Sequence, residues 1–173
     1  EITFNLDVHG RHAAHQLPSI ELKGLVSSID YSQYKYENIT LDGIYKSGGF
    51  NGKVVLDDPN GSVLLNGNFN VATQTPTFNF LAVIDKVRPH DLNLTDKYAD
   101  SDLSLKLKAD FTGGSIDEMK GEINIDSLQF QSPDKSYFMK NMNIQAHKED
   151  GENQLKLRSE FLTADIKGQF QYH

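Results

Sequence analysis

Leu103-Ser-Leu-Lys-Leu-Lys-Ala-Asp-Phe111 alternates apolar and polar side chains without a break. In an extended chain Leu103, Leu105, Leu107, Ala109 and Phe111 share one side, and Ser104, Lys106, Lys108 and Asp110 the other. The stretch therefore predicts a strand with one dry and one wet face. The same period of two recurs in Ile2 to Val8, Ile20 with Leu22, Ile39 with Leu41, Val54 with Leu56, Val63 with Leu65 and Phe78 with Phe80. It continues in Ile123 with Ile125, Met142 with Ile144, Leu155 with Leu157 and Ile166 with Phe170. No stretch has a helical period, so the prediction is an all-β fold of roughly a dozen short strands. Tight turns mark the joints and imply antiparallel pairing: Asp57-Asp58-Pro59-Asn60-Gly61, Ser47-Gly48-Gly49 and Glu149-Asp150-Gly151. In the first of these, Asn60-Gly61 is the pair expected at positive φ. Val87 to Asp100 reads as a connector, with room for one short strand or helical turn.

Composition bounds the functions. The chain has 173 residues, no Cys and no Trp, and 24 acidic against 17 basic side chains give a formal charge of -7. A chain of this length can bury a core without staples. The missing Cys removes disulfides, thiol nucleophiles and thiolate metal sites. The negative charge argues against nucleic acid and against docking on an anionic membrane surface. The longest apolar run is the five residues Phe80 to Ile84, too short to span a bilayer, and no signal peptide is recognisable. The chain starts in one strand-like run and stops just after another, which predicts an excised interior segment.

Sliding the chain along itself reveals an internal repeat. Ile2-Thr-Phe-Asn-Leu-Asp-Val-His-Gly10 lies over Leu105-Lys-Leu-Lys-Ala-Asp-Phe-Thr-Gly113 at an offset of 103, and Ile20-Glu-Leu22 over Ile123-Asn-Ile125 at the same offset. Tyr34, Asn38, Ile39 and Leu41 meet Tyr137, Asn141, Met142 and Ile144. Beyond Ser47-Gly48-Gly49 the offset becomes 101, placing Leu65-Asn-Gly67-Asn-Phe69 over Ile166-Lys-Gly168-Gln-Phe170. The expectation is one continuous module over 1–173, part of a longer array, with units 2–70 and 105–171 and a connector 71–104. Such units predict an open, extended sheet, and the recurring aliphatic-x-Gly-x-apolar element predicts places where it bends.

The search for chemistry yields little. His9, His12 and His15 form His-x2-His-x2-His, yet residues three apart on a strand face opposite ways and no carboxylate or Cys completes a ligand set. The Asp57 to Gly61 turn lacks the Glu of a calcium loop, and Gly113-Gly114-Ser115 is not a nucleophile elbow. The acidic residues, Asp7, Asp42 and Asp110 among them, mostly occupy polar strand positions. No catalytic residue, metal or cofactor is expected, and the chain is read as a non-enzyme. What remains is the apolar face, which is either a closed core or the lining of a groove.

Tyr36-Glu-Asn-Ile-Thr-Leu-Asp-Gly-Ile-Tyr45, Phe50-Asn-Gly-Lys-Val54, the Asp57 to Gly61 turn, Leu65-Asn-Gly67 and Pro76-Thr-Phe78-Asn-Phe80 together resemble the TamB family of translocation and assembly proteins, within the AsmA-like envelope group. Leu92-Asn-Leu-Thr-Asp96, Gly121-Glu-Ile-Asn-Ile-Asp126 and Ser132-Pro133-Asp134 extend the resemblance over almost the whole chain. It implies a curved, taco-like β trough with an apolar concave face, in a periplasmic protein held in the inner membrane by an anchor outside this chain. The implied partners are phospholipid acyl chains and, through other parts of the protein, an outer-membrane barrel of TamA or BamA type. The residues expected to face lipid are Ile2, Phe4, Leu6, Leu105, Leu107, Phe111, Ile123, Ile125, Leu155, Leu157, Ile166 and Phe170. The other reading is a surface or periplasmic β-sandwich that recognises glycan or protein through Tyr31, Tyr34, Tyr36 and Tyr45.

Overall fold

The computed structural model describes residues 2–11, 19–149 and 151–169, with the backbone alone at 2–6, 8 and 11. Eleven strands follow in chain order: β1 (Ile2–Arg11), β2 (Ser19–Tyr31), β3 (Tyr34–Lys46), β4 (Gly49–Asp58), β5 (Gly61–Asn70) and β6 (Thr77–Val87), then β7 (Asp102–Thr112), β8 (Lys120–Gln131), β9 (Ser136–Glu149), β10 (Glu152–Arg158) and β11 (Thr163–Gly168). They form a single antiparallel sheet in which each strand pairs with its neighbours in sequence. β1 and β11 are its two free edges, so the sheet is open and not a barrel. The all-β class and the antiparallel pairing are as the alternation and the tight turns predicted, and β6 lies within the span read as connector 71–104.

The turns show which residues carry the backbone cost. At Ser47-Gly48 both central residues take positive φ, 52° and 78°, the geometry that matches a two-residue hairpin to the strand twist. Ser32 and Gln33 adopt the same kind of turn, at 50° and 63°, without a glycine. The Asp57 to Gly61 turn differs from expectation. Its ladder closes at Asp58 opposite Gly61, so Pro59 and Asn60 are central and only Gly61 has positive φ. The Asp58 carboxylate accepts the Asn60 amide at 2.9 Å and holds the turn in place of the Asn-Gly geometry.

The ladder also corrects the alignment of the repeat. The register slips between Thr3 and Phe4 and again between Lys106 and Leu107, and Asn38 and Asn141 both take positive φ, all at the offset of 103. On β2, however, Leu22 stands opposite Val8, whereas Gly121 stands opposite Phe111. Ile20 and Leu22 are thus not equivalent to Ile123 and Ile125, because the first hairpin is longer than its counterpart. Gly67 is likewise equivalent to Ile166 and not to Gly168, since these two stand opposite Gly52 and Leu155, themselves related by 103. Both slips are even, by four and two residues, so the apolar residues keep their face and the alternation could not reveal the error.

The accessible surface is 11614 Å². A compact monomer of this length exposes about 8,500 Å². Among the described residues, a single sheet without a second layer explains the excess. Burial is concentrated where the β6–β7 connector, residues 88–101, folds over one end of the sheet. The Arg88 amide bonds the Asn60 carbonyl at 2.9 Å, the Tyr36 hydroxyl donates to the Leu92 carbonyl at 2.9 Å, and the Asn93 amide group reaches the Ser32 carbonyl at 3.1 Å. Leu92, 1% exposed, is the largest fully buried side chain among the described residues.

Candidate functional site

The site is built by register. Directly opposed residues in a ladder share a face, so the pairing traces rows across the sheet. One row runs Ile20, Tyr45, Phe50, Phe69, Phe78, Phe111, Gly121, Ala146, Leu155, Ile166 from β2 to β11. The next runs from Leu22 through Gly43, Gly52, Gly67 and Phe80 to Leu157 and Ala164. The two rows beyond pass through Leu107 and Ile125, and through Leu105 and Leu128. The first two rows reach β11 and the other two end on β9 at Met142 and Met139, and none of the four contains a charged side chain from β2 onward. Strands spaced about 4.8 Å apart and rows about 6.8 Å apart give a footprint on the order of 800 Å².

The opposite face is mostly polar, with an apolar stretch at Val55, Leu64 and Val83 on β4 to β6. Asn51, Asn68, Asn79, Asp110, Glu122, Gln145, Lys156 and Asp165 form one continuous row there. Its groups satisfy one another: Asn143 donates to Asn124 at 2.7 Å, Lys106 lies 3.5 Å from Asp126, and Arg158 lies 2.6 Å from Asp165. The two-sided chemistry of the sheet is the alternation of each strand, multiplied by ladders that keep register.

Aromatic rings fill what the glycines leave open. Tyr45, Phe50, Phe69, Phe78 and Phe111 stand side by side on five consecutive strands. Phe78 and Phe111 stack at 4.8 Å, and Phe69 leans onto Phe80 at 4.9 Å. Gly43, Gly52 and Gly67 are direct neighbours in the adjoining row, and the Phe50 ring tip would lie 2.7 Å from a Cβ at Gly43 and 3.0 Å from one at Gly52. These glycines therefore admit rings that lie flat on the sheet. The sequence pairs Phe78 with Phe80 but hides the aromatic row, because its members are contributed by separate strands and meet only through register.

Of the residues expected to face lipid, Leu105, Leu107, Phe111, Ile123, Ile125, Leu155, Leu157 and Ile166 all lie on this one face. Ile125 is buried, Ile166 is exposed and the other six are half-buried. Ile2, Phe4 and Leu6 hold ladder positions opposite Ile29, Val26 and Gly24, but their side chains lie outside the described residues, as does Phe170. His12, His15 and His173 are also outside them; His9 is exposed, and the described residues contain no cluster of His and carboxylates that could hold a metal.

The tyrosines serve the end of the sheet that the connector covers. Asp58, 6% exposed, accepts the Tyr34 hydroxyl at 2.5 Å and the Glu37 amide at 3.2 Å in addition to Asn60. Asn60 in turn donates to the Tyr34 hydroxyl at 3.0 Å. Burial, and then the hydrogen bond to Asp58, raise the Tyr34 phenol above its ordinary pKa; burial also raises that of Tyr36. These hydroxyls clasp the β2–β3 hairpin to the β4–β5 hairpin and to the connector. No protein-family model, curated protein or solved structure matches the chain.

Proposed function

We propose that the chain is a non-enzymatic module of a TamB-like periplasmic protein, and that its charge-free face carries phospholipid acyl chains between the inner and outer membranes. The observation that supports this reading is the four-row apolar face, larger than the apolar patch of an ordinary monomer and without a covering layer among the described residues. An occupant of such a face must need no hydrogen bond or counter-ion from it. Acyl chains meet that condition, and each methylene removed from water contributes about 0.8 kcal/mol. Because the gain is non-directional and nearly uniform from strand to strand, a chain can move along the rows without crossing a polar barrier. The trough curvature and the support of outer-membrane protein assembly, through a TamA- or BamA-type barrel bound elsewhere on the protein, belong to the same reading. A glycan-binding sandwich has less support, since the described residues make one sheet and the hydroxyls of Tyr34 and Tyr36 are engaged within the fold.

The test is lipid retention by the purified chain after incubation with phospholipid vesicles. Leu107→Glu combined with Leu157→Glu places charges on the dry face and is expected to reduce bound phospholipid at least about tenfold. Lys108→Glu combined with Lys167→Glu, on the wet face, should leave it unchanged. Equal loss from both pairs would contradict the reading.

A further inference from the structure

At the end of the apolar face, between the connector and the β8–β9 turn, lies a cleft of about 680 Å³ lined by Tyr98, Phe130, Ser132, Asp134, Lys135 and Tyr137, a volume typical of small-molecule sites. Three aromatic rings converge there. Tyr98 meets Phe130 edge to face at 5.4 Å, and Phe130 and Tyr137, direct ladder partners, lie 6.3 Å apart. Packing alone does not account for this arrangement, because Tyr98 and Tyr137 remain 60% and 54% exposed. The backbone is held for it at a cost. Tyr98 sits at φ 63°, a conformation that a bulky residue seldom adopts, and the buried Ser101 hydroxyl donates to the Tyr98 carbonyl and fixes the turn.

The polar members complete the chemistry. Ser132 and Lys135 close the turn through their backbones, with the Ser132 amide bonded to the Lys135 carbonyl at 2.8 Å, and the consecutive residues Asp134 and Lys135 both line the cleft. Neither charged group joins an ion pair among the described residues. Aromatic faces beside a carboxylate attract an alkylammonium. A lysine one residue away attracts a phosphate. We propose that this cleft binds a phospho-alkylammonium zwitterion, the chemistry shared by free phosphoethanolamine or phosphocholine and by the head groups of zwitterionic phospholipids. The lipid source rests on the function proposed above, and it fits the geometry: Phe130 shares the dry face with Leu128 and Ile125, across the one-residue bulge between them, so a bound head group would feed its acyl chains directly onto that face.

The test titrates O-phosphoethanolamine and phosphocholine into the chain while the ring signals of Tyr98, Phe130 and Tyr137 are followed by NMR. Saturable shifts are expected in these rings, with affinity at least tenfold weaker in Asp134→Asn, in Lys135→Gln and for glycerol 1-phosphate, which lacks the cation. Both substitutions are on exposed turn residues, so the fold is retained. Absence of saturable shifts, or equal shifts with glycerol 1-phosphate or with a neutral disaccharide, overturns the proposal. Lipid extracted from the chain after exposure to mixed phosphatidylethanolamine and phosphatidylglycerol vesicles separates the sources. Ring shifts with the free zwitterions but no retained lipid would keep this site and remove the lipid-carrying reading. Retained lipid without enrichment of phosphatidylethanolamine and without ring shifts would do the reverse.

Discussion

At the scale of single residues, the fold depends on a few polar and glycine positions more than on any one apolar side chain. Asp58 gathers three donors from two hairpins in a nearly dry place. Tyr34→Phe removes one of them and should cost about 1.5–3 kcal/mol, read as a lower urea midpoint. The same substitution should alter the alkaline limb of stability. An unfolded tyrosine titrates near pH 10, and the folded Tyr34 and Tyr36 titrate higher, so the stabilisation from the neutral phenols is complete below about pH 10 and lost as pH rises through the folded values. The difference in midpoint between wild type and Tyr34→Phe should therefore shrink as pH rises above about 10; a constant difference would contradict the assignment. Gly52→Ala places a Cβ against the backbone of Asp42 and Gly43 and under the Phe50 ring, and should destabilise by about 1–3 kcal/mol or more. Gly10→Ala, where a Cβ meets nothing within 4 Å, is the control and should be nearly neutral.

At the scale of elements, the strands were legible and their covering was not. Alternation such as Leu103 to Phe111 places every side chain on a face because the period of two is local. The faces of Leu107, Ile125 and Leu157 could thus be read from the sequence alone. The aromatic row and the glycine row could not, since each depends on hairpin lengths that set register over many residues. Ser32-Gln33 carries no glycine signal, and the Asp58 clasp joins residues that alternation treats as ordinary polar positions. The connector was recognised as irregular, but its contacts reach back 56 residues from Leu92 to Tyr36 and 61 from Asn93 to Ser32, which no local pattern encodes. Its energetic weight is testable. Leu92→Ala should cost about 2–5 kcal/mol, the price of a cavity in a closed core. Leu157→Ala, on the uncovered face, should cost about 1 kcal/mol or less. Similar losses at the two sites would mean that the face is covered.

At the scale of the whole molecule, eleven sequential strands with free edges at β1 and β11 make an object that is long across the strands and thin through them. Solution scattering should give a radius of gyration clearly above the ~16 Å of a compact domain of this length. The repeat fits the same geometry, because a meander can be extended unit by unit without closing. Face chemistry then decides function: one side satisfies its polar groups in water, and the other offers only dispersion and release of water to whatever lies on it. The most direct test of that division is a photo-crosslinking amino acid placed at Leu107 and, separately, at its chain neighbour Lys106 on the other face, with the chain irradiated in the presence of phospholipid. Capture of lipid from position 107 and little from position 106 is the predicted result; equal capture at the two positions would contradict the account.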